Sequence, residues 1–206
     1  MSIYELKPRF QAVLRPLVRR LAAHGVSANA VTLAAMLISI ALGALLFIGA
    51  GQPGLFLLLP AWMFVRMAFN AIDGMLAREF GQQSPLGAYL NELSDVVSDA
   101  ALYLPFVLVA PFGWGGVGAV IFLAAVSEMA GALGPMVGAP RRYDGPMGKS
   151  DRAFVFGTLG LWLGLAGSLP GWSWWIMPAV SLAILANIVN RVRAGVRDAG
   201  VVHNAP

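Results

Sequence analysis

Four oxygen-bearing side chains recur at helical spacing between residues 70 and 95. Asn70 and Asp73 are three residues apart, and Asn91 and Asp95 are four apart, so each pair lies on one face of a helix. Carboxylate and carboxamide oxygens are the ligands that hard cations prefer, with Mg²⁺ first and Mn²⁺ or Ca²⁺ as substitutes. The spacing therefore predicts an all-oxygen cation site, and such a cation favours phosphate chemistry.

These acids lie in a chain that is apolar enough to live in a lipid bilayer. Of the 206 residues 58% are hydrophobic and 12% are charged. Residues 30–50 form one uncharged run, long enough to cross about 30 Å of hydrocarbon at about 1.5 Å per residue. A charged group in such surroundings is costly and indicates a functional site by default. For the acids, a proton or ion pathway and a structural pair with Arg66 or Arg78 are the alternatives.

The hydropathy pattern predicts an all-α integral membrane protein with an N-terminal amphipathic helix and six transmembrane helices. We expect these spans near residues 30–50, 54–79, 86–110, 115–138, 153–169 and 173–192. Residues 100–127 and 153–190 are each longer than one span, and turn-forming Pro and Gly residues interrupt them. The simplest organisation is one membrane domain over residues 1–206, made of a juxtamembrane helix (1–25), a six-helix bundle (26–194) and a cytoplasmic tail (195–206).

The basic residues predict how this domain is oriented. Every Lys and Arg except Arg66 falls before the first span or in the segments that follow the second, fourth and sixth spans. The positive-inside rule makes that side cytoplasmic, together with both termini, and a bacterial inner membrane is the expected location. Apolar and basic residues alternate over 9–23, which suits a helix lying on an anionic leaflet; a flexible basic tail is the alternative.

Charge and cysteine content exclude two classes of function. The net charge of +4 is explained by this topology, so nucleic acid is not an expected partner. The chain has no cysteine, which excludes disulfides and thiol catalysis. What remains is chemistry by carboxylates, carboxamides and basic side chains at a membrane surface.

The same stretch resembles the signature of the CDP-alcohol phosphatidyltransferase family, Asp-x-x-Asp-Gly-x-x-Ala-Arg, eight residues, then Gly-x-x-x-Asp-x-x-x-Asp. Six of the eight fixed positions match: Asp73, Gly74, Ala77, Arg78, Gly87 and Asp95. Asn70 and Asn91 stand where the family has aspartates. Each amide keeps an oxygen ligand but removes one negative charge, so the expected two-metal arrangement is in question. Asp99, one turn beyond Asp95, is a possible replacement charge.

The resemblance implies a transferase that moves a phosphatidyl group from a CDP-linked donor, usually CDP-diacylglycerol, to an alcohol and releases CMP. It makes Asp95 the base for the hydroxyl proton and makes Asn70, Asp73, Asn91 and Asp95 the metal ligands. It also implies a nucleotide cavity formed by Asn29, Thr32, Gly74, Ala77, Arg78 and Gly87, in which Asn29 and Thr32 match a second, weaker family element. Ordinary helix packing is the alternative for the small residues. A homodimer is expected.

Four basic residues are candidates for binding phosphate or a phosphorylated acceptor: Arg66, Arg141, Lys149 and Arg152. The Gly148-Lys149 pair resembles a family element at the acceptor side of the cavity, and topology-setting charge is the alternative for the loop residues. Glu128 either lines the cavity or pairs with a cation. Two other functions stay open: a degenerate homologue that binds nucleotide or lipid without turnover, and a small proton-coupled transporter.

Overall fold

The computed structural model describes the backbone of residues 3–203 and the side-chain environments of residues 10–199. Over that range the chain is helical, without a strand, as the sequence predicts. Its seven α-helices are α1 (Ile3–Ala23), α2 (Ala28–Ile48), α3 (Leu58–Glu79), α4 (Pro85–Tyr103), α5 (Gly113–Ala132), α6 (Lys149–Ala166) and α7 (Ile176–His203).

Four helical segments are long and apolar enough to cross a membrane: Ala28–Ile48, Pro53–Glu79, Gly113–Ala132 and Gly171–Ala199. The helices α4 and α6 fall short of that description because each carries three charged residues within about one membrane thickness. A multi-pass membrane protein is therefore confirmed. Each of these two helices brings one buried charged side chain into the bundle, Asp99 from α4 and Arg152 from α6.

Two predicted spans end earlier as α-helix than the hydropathy pattern predicts. The span expected over 86–110 is α-helical only to Tyr103, and the span expected over 115–138 only to Ala132. Each continues as a short 3₁₀ helix with a proline near its start, Pro105 and Pro135 respectively. Proline has no backbone N–H and clashes with the preceding turn, so it cannot continue the α-helical ladder.

The last helix differs in the opposite sense, because α7 continues to His203 instead of ending near residue 192. Most of the segment predicted as a tail over 195–206 is thus helical, and residues 204–206 lie outside the described residues. Asp198 explains part of this extension: its carboxylate accepts a hydrogen bond of 2.5 Å from Arg142. This hydrogen bond joins the last turns of α7 to the connection between α5 and α6.

The N-terminal helix α1 packs on the end of α3. Val18 is fully buried in an apolar cluster that contains Ile72, Met75 and Leu76 of α3. Beside this cluster the guanidinium of Arg15 pairs with the carboxylate of Glu79 at 2.9 Å. Val13, on another side of α1, is 77% exposed. The helix therefore supports the end of α3 with one side and leaves apolar side chains on another.

Helix α2 lies against both α3 and α4, and its contact with α4 depends on a glycine. A Cβ at Gly43 would lie 2.7 Å from the carbonyl carbon of Ala101, closer than any real side chain sits to backbone. Ser27 and Ser84 begin α2 and α4, since their hydroxyls accept hydrogen bonds from the amides of Ala30 and Gly87. These two caps fix the starts of α2 and α4, where Asn29 and Gly87 lie.

We predict that Gly43→Ala lowers stability by about 1–3 kcal/mol, because the added methyl forces α2 and α4 apart. Gly118→Ala is the matched control: it also lies within a helix, but nothing is within 4 Å of its added Cβ, so a gain of up to about 1 kcal/mol is expected. Thermal unfolding in detergent compares the two. Equal melting temperatures for Gly43→Ala and the wild type would contradict the close contact.

Candidate active site

The start of α2, the end of α3 and the start of α4 meet at one end of the bundle. The hydroxyl of Thr32 donates a hydrogen bond of 2.8 Å to the buried carboxylate of Asp73. A Cβ at Gly87 would lie 2.8 Å from the carboxamide oxygen of Asn29, so that side chain lies directly against α4. The two α2 residues predicted from the weaker element thus contact residues of the main signature.

Gln82 adds a contact that sequence reasoning missed. Its side-chain oxygen accepts a hydrogen bond of 2.7 Å from the backbone amide of Ala28, and its nitrogen donates to the carbonyl oxygen of Val26 at 3.3 Å. These two hydrogen bonds hold the connection between α3 and α4 against the start of α2. The sequence held no signal for this role, because a glutamine in a polar connection is ordinarily solvated.

The small signature residues do not leave empty space in this structure. The guanidinium of Arg78 lies over Gly74, where an added Cβ would be 2.9 Å from Nη2. The carboxamide of Asn29 occupies the position beside Gly87. Ala77 is half-buried and packs on the apolar cluster beneath α1. A ligand that used this surface would have to displace the side chains of Arg78 and Asn29, which are polar and can rotate away.

Asp95 is held by two cationic side chains. Its Oδ1 accepts a hydrogen bond of 3.2 Å from Nη2 of Arg66 and forms an ion pair with the ammonium of Lys149. Asn70 lines the same cavity as Arg66 and Lys149, whereas Asn91 is exposed. The acid predicted as the base is thus placed between α3 and the start of α6.

The predicted ligands suit a hard divalent cation by their type, but together they carry little negative charge. Within the described residues no three His, Cys, Asp or Glu side chains lie close enough together to hold a metal ion. The carboxylate of Asp73 accepts a hydrogen bond from Thr32 and has no ion-pair partner among the described side chains. By donor type, two carboxylates and two carboxamides would suit Mg²⁺ or Mn²⁺, and of the four predicted ligands Asn91 is the exposed one.

A cavity of about 390 Å³ opens between α3 and α6. One end is polar and is lined by Arg66, Asn70, Lys149 and Ser150. The rest is mostly apolar, lined by Pro60, Met63, Phe64, Met67, Ala153, Phe154, Gly157, Thr158 and Leu161. Such a cavity is within the size range of small-molecule sites. Its shape suits an amphiphile whose charged end lies beside Asn70 and Lys149.

Ion pairs continue from the cavity into the bundle. Arg66 contacts Asp99 at 2.6 Å, and Arg152 contacts Asp99 at 3.3 Å and Glu128 at 2.9 Å. Glu128 also contacts Arg191 at 3.5 Å and Arg141 at 3.4 Å. The Glu128 carboxylate is therefore a pairing group, which was one of its two predicted roles, and Asp99 is held by two arginines.

The network changes the interpretation of the candidate phosphate-binding arginines. Arg152 is fully buried between Asp99 and Glu128, and Arg141 donates a hydrogen bond of 2.5 Å to Glu92. Neither lines the cavity between α3 and α6, so the structure favours a structural role for both over phosphate binding. Arg66 also lies in ion pairs but keeps a place in the cavity lining.

The connection before α6 determines where Lys149 lies. Arg142 donates hydrogen bonds to Asp144 at 2.8 and 3.0 Å; these bonds lower the pKa of the Asp144 carboxyl below its ordinary value. The backbone amide of Arg142 is bonded to the carbonyl oxygen of Gly131 at 3.0 Å. Asp151, in the first turn of α6, accepts a hydrogen bond from the backbone amide of Gly148, and this contact stabilises the start of the helix. Lys149 is thereby held at the polar end of the cavity.

We predict that Arg152→Leu costs about 3–5 kcal/mol of stability, because it leaves two buried carboxylates short of a partner. Adding Glu128→Gln should recover part of the loss, since Asp99 is then the only carboxylate that has lost Arg152, and it retains Arg66. Thermal unfolding in detergent measures both variants. Arg15→Leu, which breaks an exposed pair, is the control and should melt as the wild type does. A wild-type melting temperature for Arg152→Leu would contradict the buried network.

Comparison with known proteins relates this geometry to characterised chains. The chain is 45% identical over 194 residues to the inner membrane protein YnbA of Escherichia coli strain K12. The matched region covers 94% of this chain and 96% of that protein. The chain is also 36% identical over 96 residues to the phosphatidylinositol phosphate synthase of Mycobacterium marinum. That matched region covers 46% of this chain and 38% of that protein.

The fold also matches solved structures of the Mycobacterium tuberculosis phosphatidylinositol phosphate synthase PgsA1. Its complex with manganese and citrate superposes with a TM-score of 0.74 at 19% identity, covering 93% of this chain and 92% of that one. Its structure with CDP-DAG bound gives 0.63 at 22% identity, covering 93% and 94%. The model of the CDP-alcohol phosphatidyltransferase family matches residues 25–185. The chain therefore belongs to the CDP-alcohol phosphatidyltransferase family.

Proposed function

We propose that this protein transfers a phosphatidyl group from CDP-diacylglycerol to an alcohol and releases CMP. The observation that carries the proposal is the amphiphilic cavity: its polar end presents Asn70 and Lys149, with Asp95 paired to Lys149, and its apolar lining extends along α3 and α6. Family membership supports the reaction class, and the PgsA1 structure with CDP-DAG bound supports the donor.

In the proposed reaction the acceptor hydroxyl oxygen attacks the phosphorus that carries the diacylglycerol. A new P–O bond forms to the acceptor, and the anhydride P–O bond to CMP breaks, leaving its electron pair on the CMP phosphate. Asp95 accepts the hydroxyl proton. Arg66 orients the Asp95 carboxylate through the hydrogen bond at 3.2 Å. Holding the two reactants beside this carboxylate supplies most of the remaining rate gain.

A divalent cation, Mg²⁺ by preference, would be held by Asp73 and Asp95 with the side-chain oxygens of Asn70 and Asn91. When bound, the cation offsets negative charge on the pyrophosphate. The PgsA1 complex with manganese supports a divalent ion in this fold. For the nucleotide we propose Asn29, Thr32, Gly74, Ala77, Arg78 and Gly87; the exposed guanidinium of Arg78 is suited to a phosphate. Arg66 and Lys149 are the proposed contacts for phosphate or for a phosphorylated acceptor at the polar end of the cavity.

The buried charges argue against the transporter alternative. Asp95, Asp99 and Glu128 are each paired with cationic side chains, which leaves Asp73 as the one buried carboxylate without an ion-pair partner among the described residues, and a single such group does not form a relay. The degenerate, non-catalytic homologue is a separate alternative. It predicts donor binding without CMP release, which the activity measurement below distinguishes.

We further propose that α2 to α7 are six spans of one domain over residues 1–206 and that the protein forms a homodimer in an inner membrane. Both termini and the connection between α5 and α6 would be cytoplasmic, because the basic residues concentrate there. Val13 and Leu17 of α1, both exposed, would rest on the cytoplasmic leaflet while the opposite side of the helix holds α3.

Cysteine labelling tests this orientation without background, because the chain has no cysteine. Gly51 and Pro146 are both exposed but lie on opposite sides in the proposed topology. In oriented inner-membrane vesicles an impermeant reagent should reach Gly51→Cys only from the periplasmic side and Pro146→Cys only from the cytoplasmic side. Labelling of Gly51→Cys from the cytoplasm would overturn the six-span arrangement.

The reaction is tested by CMP release from CDP-diacylglycerol in detergent, with a panel of alcohols and added Mg²⁺. We expect Mg²⁺-dependent release in the wild type and a fall of at least about 100-fold in Asp95→Asn, which loses the proton acceptor. Glu79→Gln removes the same charge from an exposed pair and should retain wild-type activity. Donor binding without release in the wild type, with every alcohol, would favour the non-catalytic homologue.

A further inference from the structure

The ion-pair network ends at the cavity. Its carboxylates are Glu92, Asp95, Asp99 and Glu128, and its cationic side chains are Arg66, Arg141, Lys149, Arg152 and Arg191. The carboxylate of Asp73 is not part of an ion pair among the described residues, but it lies close enough to Lys149 for the two charges to interact. The members deep in the bundle are held on several sides, whereas Lys149 lies at the open end, in the cavity lining.

Of the two cations on Asp95, only Lys149 can leave it easily. Arg66 also contacts Asp99 at 2.6 Å, and its side chain is 5% exposed. The side chain of Lys149 is 27% exposed, and Asp95 is its one ion-pair partner among the described residues. It is also part of the cavity lining. A flexible four-carbon stem lets its ammonium move by several ångströms, whereas the arginine is fixed by the network.

The predicted metal ligands carry little free negative charge before any ion binds. Asp73 and Asp95 supply two negative charges, and Asn70 and Asn91 supply none. Asp95 already contacts Lys149 and also Arg66, which it shares with Asp99. One divalent ion can still bind through Asp73, whose carboxylate has no ion-pair partner in the described part of the chain. A second ion beside Asp95 would meet the ammonium of Lys149 at contact distance, which is strongly unfavourable.

We propose that Lys149 is a built-in cation that takes the place of a second divalent ion in this site. In the resting protein its ammonium neutralises Asp95. In the donor complex it contacts the pyrophosphate, as an ammonium can, and leaves Asp95 to accept the hydroxyl proton. This inference rests on the proposed transferase function, and it makes Lys149 a substrate-contacting residue at a site that holds one divalent ion.

Manganese binding tests this inference without reference to turnover. Electron paramagnetic resonance titration of the purified protein should give one Mn²⁺ per wild-type chain. Lys149→Gln should bind Mn²⁺ at least about tenfold more tightly, because the competing positive charge is gone. The triple variant Lys149→Gln, Asn70→Asp, Asn91→Asp should bind two ions. Arg15→Gln, which removes a charge distant from Asp95, is the control and should match the wild type.

Two results would overturn the inference: two Mn²⁺ bound to the wild type, a measurement that needs no variant, or equal Mn²⁺ affinity in the wild type and Lys149→Gln. CMP release measured on the same samples keeps the two proposals apart. Release by the wild type with two bound ions would leave the transferase intact and remove the role of Lys149. One bound ion, tightened in Lys149→Gln, with no release by any variant would remove the transferase and, with it, the contact to pyrophosphate.

Discussion

Carboxylates within an apolar helix bundle are stable only when cationic partners accompany them, and Arg66 is the partner on which the rest of this arrangement depends. It lies on α3 and contacts Asp99 and Asp95 on α4, so it joins two helices through charge. A buried charge without a partner costs several kcal/mol. Arg66 therefore links α3 to α4, which both pack on α2, and lies between the proposed base and the cavity lining.

Helix α2 supplies the apolar and hydrogen-bonded part of the same arrangement. Thr32 contacts Asp73 on α3, whereas Asn29 and Gly43 lie against Gly87 and Ala101 on α4. The close approach at Gly43 needs the absence of a side chain, as is common where membrane helices touch. Small-residue packing at Ala101 and the ion pair at Asp99 thus hold α4 at neighbouring positions, and the contacts of Asn29 and Thr32 hold the signature residues at one end.

The exchange of two family aspartates for Asn70 and Asn91 is consistent with the surrounding charges. With Lys149 and Arg66 on Asp95, two further carboxylates are not needed to balance the cations present. Members of the family should therefore be compared by the charges of all side chains around the signature, and not by the signature alone.

The sequence by itself determined the all-helical membrane fold, the order of the helices and the family, because hydrophobic periodicity and the spacing of Asp73, Gly74, Arg78 and Asp95 are local properties. It also indicated that Asp95 and Lys149 matter. Only the tertiary structure decided which charges meet. Arg152 and Arg141 belong to a structural network, Lys149 contacts Asp95, and Gln82 fastens the start of α2. These partners lie between 49 and 54 residues apart, and an ion pair depends on distance in space, which no local spacing records.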